Sequence, residues 1–440
     1  MAEAQTTSRT SQPSIPKKID VTSNKDTGKT VSLLGSGSFI RLEYRESILD
    51  DSIHAKYVFA DTGNAIDGKA VLEGLPLIGT EDVLLEFEDY NENGIKVDLN
   101  VNKVTPLIED VNKSMVLLEL VSEEFIRNEQ GSSGVSLRYD GRISDHVKTI
   151  LEENLKTEKE LDIEETSNNY NFLGNGRKPY YILNWLSKAS IPSKDGKRGD
   201  TAGFLFYETS EGYHFKSIDT LFAQEKKKSF IYNETPDGEK GIPAGYDGKI
   251  LEYSTDNRLN AQQKFRIGAF QTKLVVFDPF NCAYKVVEQS AEETKEGTTL
   301  AGRELPVLNE KFNISATRTT YMLLDTGTLP TGDTDEQIDK NELQNFESQT
   351  VMNQAIRRYN QVFTASITIT IAGDFTLHAG DAIFVDAPEL KEEVDDEVNK
   401  ETGGLYIIAD LCHLITPTGT FTKLNLVRDS FGRQGNHTTR

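Results

Sequence analysis

The triplet Asp-Thr-Gly occurs three times, at Asp26, Asp61 and Asp325, and is the sharpest chemical signal in the chain. Two aspartates brought face to face can share one proton and activate a water for peptide hydrolysis. Two of the copies follow apolar residues, in VFADTG and MLLDTGT. Three features oppose that chemistry. Asn64 stands where a Ser or Thr would tie down the Asp61 carboxylate, no apolar-apolar-Gly partner motif follows late in either half, and Asp61 and Asp325 are too far apart for two evenly sized lobes. Asp-Thr-Gly is also a good turn by composition alone. We read the three copies as turns, with hydrolysis through Asp61 and Asp325 as the alternative.

The other candidates are weaker. Gly35-Ser36-Gly37 lacks a third glycine before a helix, and Gly174-Asn175-Gly176-Arg177-Lys178 lacks the GxxxxGK[ST] frame, so both read as turns and not as phosphate loops. The six histidines (54, 146, 214, 378, 413, 437) form no HxxxH or HExxH pair. Asp333-Thr334-Asp335 starts like a calcium loop but lacks the glycine and closing glutamate. No Gly-x-Ser-x-Gly elbow is present. Cys282 and Cys412 are the only cysteines and have no ligand spacing, which fits a reducing compartment. Trp185, at helical spacing with Ile182 and Leu186, reads as core, and the lysine run 226–228 as part of a solvated connection. No catalytic, cofactor-binding or metal-binding residue is assigned, no cofactor is expected, and the chain is not expected to be an enzyme.

The elements that would position such residues are mostly strands. Alternation in SFIRLEY, DVLLEFED and IKVDLNV, and the continuous apolar run MVLLELV, predict a small antiparallel barrel or sandwich over residues 30–125 after a flexible arm at 1–29. MVLLELV reads as a strand covered on both faces. An α+β segment over 126–270 carries a helix capped by Ser144, a helix opening at Pro179, and a hairpin turning at Ser210-Glu211-Gly212. Residues 223–250 are polar and read as a connection, with a further helix near 258–268. Over 271–440 the pattern gives a hairpin turning at Asp278-Pro279-Phe280-Asn281, a long helix at about 341–360 with Leu343, Phe346, Met352, Ile356 and Tyr359 as its apolar positions, and strands at 365–371, 381–386, 404–410 and 420–427. The expected class is α+β, mostly β: two small antiparallel barrels flanking an α+β insertion.

Composition limits the function. The formal net charge is −22, from 70 acids and 48 bases, so the counterion release that drives nucleic-acid binding works in reverse. Such a surface lets DNA slide past without adsorbing. No run of about 18 apolar residues offers a membrane span, and MAEAQTTSRTSQPSIPKK lacks the apolar stretch of a secretory signal, so a soluble protein is expected.

The segment VMNQAIRRYNQVFTASITITIAGDFTLHAGDAIFVDAP, followed by LYIIADLCHLITPTGTFTKLNLVRD, resembles the baseplate hub proteins of contractile-tailed bacteriophages, relatives of the N-terminal part of type VI secretion spike proteins. MVLLELVSEEFIRNE, ISDHVKTILEENL, PYYILNWLSKASIP and the 203–222 hairpin follow in the family's order. The loops 157–178, 223–248 and 289–340 match nothing in the family. The resemblance implies a homotrimer in which each chain supplies two tail-tube-like barrels. Three chains then make a pseudo-sixfold ring between the hexameric tail tube and the trimeric central spike, beside the baseplate wedge proteins. Genome DNA passes through the lumen without specific binding, and the protein, made in the host cytoplasm, resides in the virion tail baseplate. LLDTGT is separately similar to the second lobe of pepsin-like aspartic proteases, which keeps that alternative open.

Overall fold

The computed structural model describes residues 14–432 except 15, 26–28, 37, 62, 64–65, 76, 90, 111–112, 194–201, 233–241, 243–244, 258–259, 280–281, 291–297, 306–308, 313–316, 325–327, 329–332, 334, 337–347 and 388–401. Seven strands form the first β unit: β1 (Pro16–Thr22), β2 (Thr30–Ser32), β3 (Ser38–Ser47), β4 (His54–Asp61), β5 (Asp82–Glu88), β6 (Gly94–Asp110) and β7 (Lys113–Val121). They pair in the order β3-β4-β7-β6-β5-β1-β2. The alternating residues face inward as the sequence predicts: Leu42, Tyr44, Val83, Leu85, Phe87, Val97, Leu99 and Val101 are all buried in one core. That core requires a strongly curled sheet. Tyr44 on β3 and Phe87 on β5 are four strand spacings apart, about 19 Å if flat, yet their rings lie 5.5 Å apart. β6 provides part of the bend, pairing with β5 through its first half and with β7 through its second, with register shifts at Val101/Lys103 and Pro106/Ile108.

Two expectations for this unit need correction. Residues 1–29 are not a loose arm throughout, because Pro16–Thr22 is a strand hydrogen-bonded to β5. MVLLELV is not covered on both faces: Val116, Leu118 and Leu120 are buried, whereas Met115, Leu117 and Glu119 on the other face are only half-buried.

The insertion holds β8 (Arg138–Tyr139), β9 (Leu161–Ile163), β10 (Phe172–Leu173), β11 (Phe204–Thr209) and β12 (Gly212–Ser217), with helices Ile143–Thr149 and Pro179–Ser187. The second helix opens on proline, as expected. The first opens after Arg142, two residues before Ser144 would set it, so Ser144 is not its cap. The hairpin turns at Ser210-Glu211, with Thr209 opposite Gly212. Trp185 meets Tyr170 and Phe172 edge-on at 5.1 and 5.3 Å beside the core of this segment.

The second β unit is a closed six-stranded barrel. It takes β13 (Lys228–Ile231) and β14 (Gly248–Asn257) from the stretch before residue 270. A separate three-stranded sheet follows, of β15 (Gln271–Asp278), β16 (Ala283–Ser290) and β17 (Arg318–Leu323), ordered β16-β15-β17. The barrel then resumes with β18 (Ala365–Ala372), β19 (Ala382–Asp386), β20 (Gly404–Thr416) and β21 (Gly419–Arg428). Pairing runs β19-β13-β14-β18-β21-β20 and closes from β20 back to β19. Residues 223–250, read as a polar connection, therefore contribute one barrel strand and the start of a second. The barrel is also not wholly antiparallel, because β13 runs parallel to both β14 and β19. β13 is four residues long and partly lysine, too short and polar for its alternation to register.

β20 does more than close this barrel. From Asp410 to Ile415 it also pairs with β3, from Ser47 to Leu42. The two β units are thereby one continuous 13-stranded sheet.

The helix before β18 is described over Ser348–Val362, the earlier part of the expected 341–360 segment lying outside the described residues. Its apolar stripe differs from the expected one. Val351 and Ala355 are buried, Met352, Ile356 and Tyr359 are only half-buried, and Asn353, Gln354, Arg357 and Arg358 are buried with them.

Candidate functional site

Asp61, the describable member of the proposed catalytic pair, ends β4 and is buried. One carboxylate oxygen accepts from the Gly63 N–H at 2.9 Å and the other from the Val71 N–H at 2.5 Å. The carboxylate is thus occupied in holding the loop that leaves β4. Asp325 and Asp26 lie outside the described residues. Gly35 and Ser36 end the short helix Leu33–Ser36, and Gly37 lies outside the described residues. Gly174-Asn175-Gly176 is a turn: Asn175 and Gly176 have φ +53° and +68°, and a Cβ on Gly174 would meet the Val135 carbonyl oxygen at 2.2 Å. Asp333 accepts from the Glu336 N–H. Among the described residues, no group of three or more His, Cys, Asp or Glu side chains could hold a metal ion, and no helix is long and apolar enough to cross a membrane.

The lysine run leads into the barrel, with Lys227 exposed and Lys226 and Lys228 half-buried. Lys226 lies over the Phe384 ring, Lys227 pairs with Asp381 at 2.9 Å, and Lys228 pairs with Asp374. The Asp374 carboxyl, opposed by burial, is held below its usual value by Lys228.

The concentrated chemistry of the molecule lies where the first β unit, the insertion and the second barrel meet. Glu46, near the end of β3, is fully buried. Its Oε1 accepts from the Tyr44 hydroxyl at 2.7 Å and the Ser210 N–H at 2.8 Å, and its Oε2 accepts from the Ala379 N–H at 3.0 Å. His378 Nδ1 stands 3.3 Å away. One carboxylate therefore ties a strand of the first unit, the hairpin turn of the insertion and the loop into β19. Burial opposes both charges, but each ion outweighs it for the other. His378 is raised above its ordinary 6.5, and Glu46 is lowered below 4.5.

A second buried carboxylate, Glu208 on β11, accepts from the Ile53 N–H at 3.0 Å and from the Ser122 hydroxyl at 2.6 Å, both in the first unit. Lys159 bridges it at 2.5 Å to Glu124 at 2.6 Å. Burial pushes the Glu208 carboxyl up, whereas on Glu124 burial is outweighed by Lys159 and the carboxyl is held low.

The Ser348–Val362 helix is the third tie. Gln354 accepts from the Ala202 N–H at 2.9 Å, and the Tyr359 hydroxyl donates to the Phe204 carbonyl at 2.5 Å. Arg358 pairs with Asp219 and Asp429, both at 2.9 Å. Lys264 donates to the carbonyls of Asn360 and Phe363 at the helix end, at 2.9 and 2.6 Å, and burial pushes its ammonium down to about 8. These groups were missed in the sequence, where nothing distinguishes a buried Glu or Arg from an exposed one. These groups point at backbone, at hydroxyls or at opposite charges of the same chain, which positions whole segments.

No protein-family model matches the sequence, and no curated protein matches it either. The fold is similar to that of the 43 kDa tail protein of prophage MuSo2 from Shewanella oneidensis (TM-score 0.52, 11% identity, 94% of this chain and 98% of that one). It is likewise similar to a tail protein from Neisseria meningitidis MC58 (TM-score 0.52, 10% identity, 94% and 96%). The fold resemblance to phage tail proteins expected from the sequence thus extends over nearly the whole chain.

Proposed function

We propose that the chain is a structural, non-enzymatic component of a contractile phage tail, the baseplate hub. In this reading three copies form a pseudo-sixfold ring. The ring seats the hexameric tail tube on one side and holds the trimeric central spike on the other, beside the wedge proteins, with DNA passing through an acidic lumen. The observation that carries the reading is the β3–β20 seam. It joins two β units edge to edge in one chain, and a chain bearing two such units matches threefold to sixfold order. The near-full-length fold similarity to two tail proteins supports it.

Sedimentation velocity on the purified chain tests it. We expect a discrete species of three times the 49.1 kDa chain mass, and threefold rings with six lobes in negative-stain images. A monomer at every concentration, with and without a tail-tube or spike protein, would sink the proposal.

A further inference from the structure

The β16-β15-β17 sheet has one covered and one bare face. Leu274 and Val276 on β15 are buried, and the Ser348–Val362 helix lies against β15 and β16. On the opposite side the register aligns two apolar rows: Tyr284, Phe277 and Leu323 in one, Val286, Val275 and Tyr321 in the next. Tyr284 and Tyr321 are 74% and 77% exposed, and Leu323 is 64% exposed. The third row holds Glu288, Lys273 and Thr319, and the Glu288–Lys273 pair at 2.8 Å cancels its own charge. Among the described residues, the outer edges of β16 and β17 pair with no other strand.

We infer that this face is a contact between copies of the chain, the neighbour in the proposed ring being its occupant; the inference rests on that ring reading. Charge selects the occupant. A molecule of net charge −22 repels its own copies over most of its surface. This face is neutral and apolar, so a second acidic copy meets it without like-charge repulsion, whereas a basic partner finds no charge there to pair with. Size supports an assembly and not a free dimer. Strands of eight, eight and six residues cover at most about 26 by 14 Å, or about 370 Å². A self-sufficient interface needs roughly 800 Å² per partner. The face is therefore one part of a larger contact, as in a closed ring.

The test is sedimentation velocity of the full chain and of the double variant Tyr284→Lys/Tyr321→Lys, with Leu137→Lys, an exposed leucine of the insertion, as control. Both tyrosines project from the fold, so circular dichroism should be unchanged. We expect at least about tenfold weaker self-association in the double variant and none in the control. A wild-type trimer that stays equally stable in the double variant overturns this contact and leaves the ring reading intact. A wild-type dimer lost in the double variant supports the contact and overturns threefold order. A wild type monomeric at all concentrations overturns both. If the double variant does not fold, a fluorophore on the exposed thiol of Cys282, in the β15–β16 turn, gives a second reading. Energy transfer between copies should rise on assembly, and no rise in a confirmed trimer overturns the contact.

Discussion

At the scale of single residues, the stability of the junction rests on buried charges whose partners are few. Lys159 neutralises both Glu208 and Glu124. Replacing it by Met strands two buried carboxylates, and we expect a loss of about 3–5 kcal/mol in denaturant unfolding. Glu208→Gln in the same background should recover part of it. His413 gives a pH signature. It is fully buried against Tyr44 and Phe375, its Nδ1 2.9 Å from the Thr422 hydroxyl, and burial depresses it from 6.5 to about 3. The folded chain thus binds fewer protons than the unfolded chain, so stability should fall as pH drops from 6.5 toward 3. His378 and Glu46 act within the same range: His378, being raised, stabilises below 6.5 and is lost as pH rises through its folded value, and Glu46, being lowered, stabilises above 4.5. Melting midpoints against pH for the wild type and His413→Gln should show a shallower acid limb in the variant. These residues were illegible in the sequence because burial of a polar group is a tertiary outcome, visible only once its partners arrive from other segments.

At the scale of elements, legibility followed local pattern. The hairpins at 204–217 and 271–290 and the last four barrel strands carry alternation and turn residues, and they formed where expected. β13 does not, because its pairing comes entirely from β14 and β19. The Ser348–Val362 helix misled in another way: its stripe was drawn through Met352 and Ile356, yet Gln354, Arg357 and Arg358 are the more buried, since tertiary partners override amphipathic spacing. The loop into β19 offers a direct test of packing between segments. Gly380 has φ +90°, and a Cβ there would lie 2.2 Å from the Tyr207 hydroxyl on β11. Gly380→Ala should cost about 1–3 kcal/mol in thermal unfolding, and Tyr207→Phe should relieve only part, because the ring carbon at 2.8 Å remains too close.

At the scale of the whole molecule, the class was legible: mostly β, with an α+β insertion between two β units. The seam between the units was not, since no local pattern says that β20 will pair on both sides. The formal charge of −22 makes its own prediction for assembly. Raising salt screens repulsion between copies, so any oligomer should tighten from low to physiological ionic strength, opposite to a nucleic-acid binder. Sedimentation across a salt series reads this directly, and weakening with salt would contradict it.

The β3–β20 seam also sets a clock. β3 leaves the ribosome long before its partner strand, which lies 363 residues further along at the Ser47–Asp410 pair. Until then β13 and β14 lack the strands that close their barrel, and Arg358 lacks Asp429. Pairing across so long a span is slow and comes after synthesis. A polypeptide that lacks β20 therefore cannot present the finished joint.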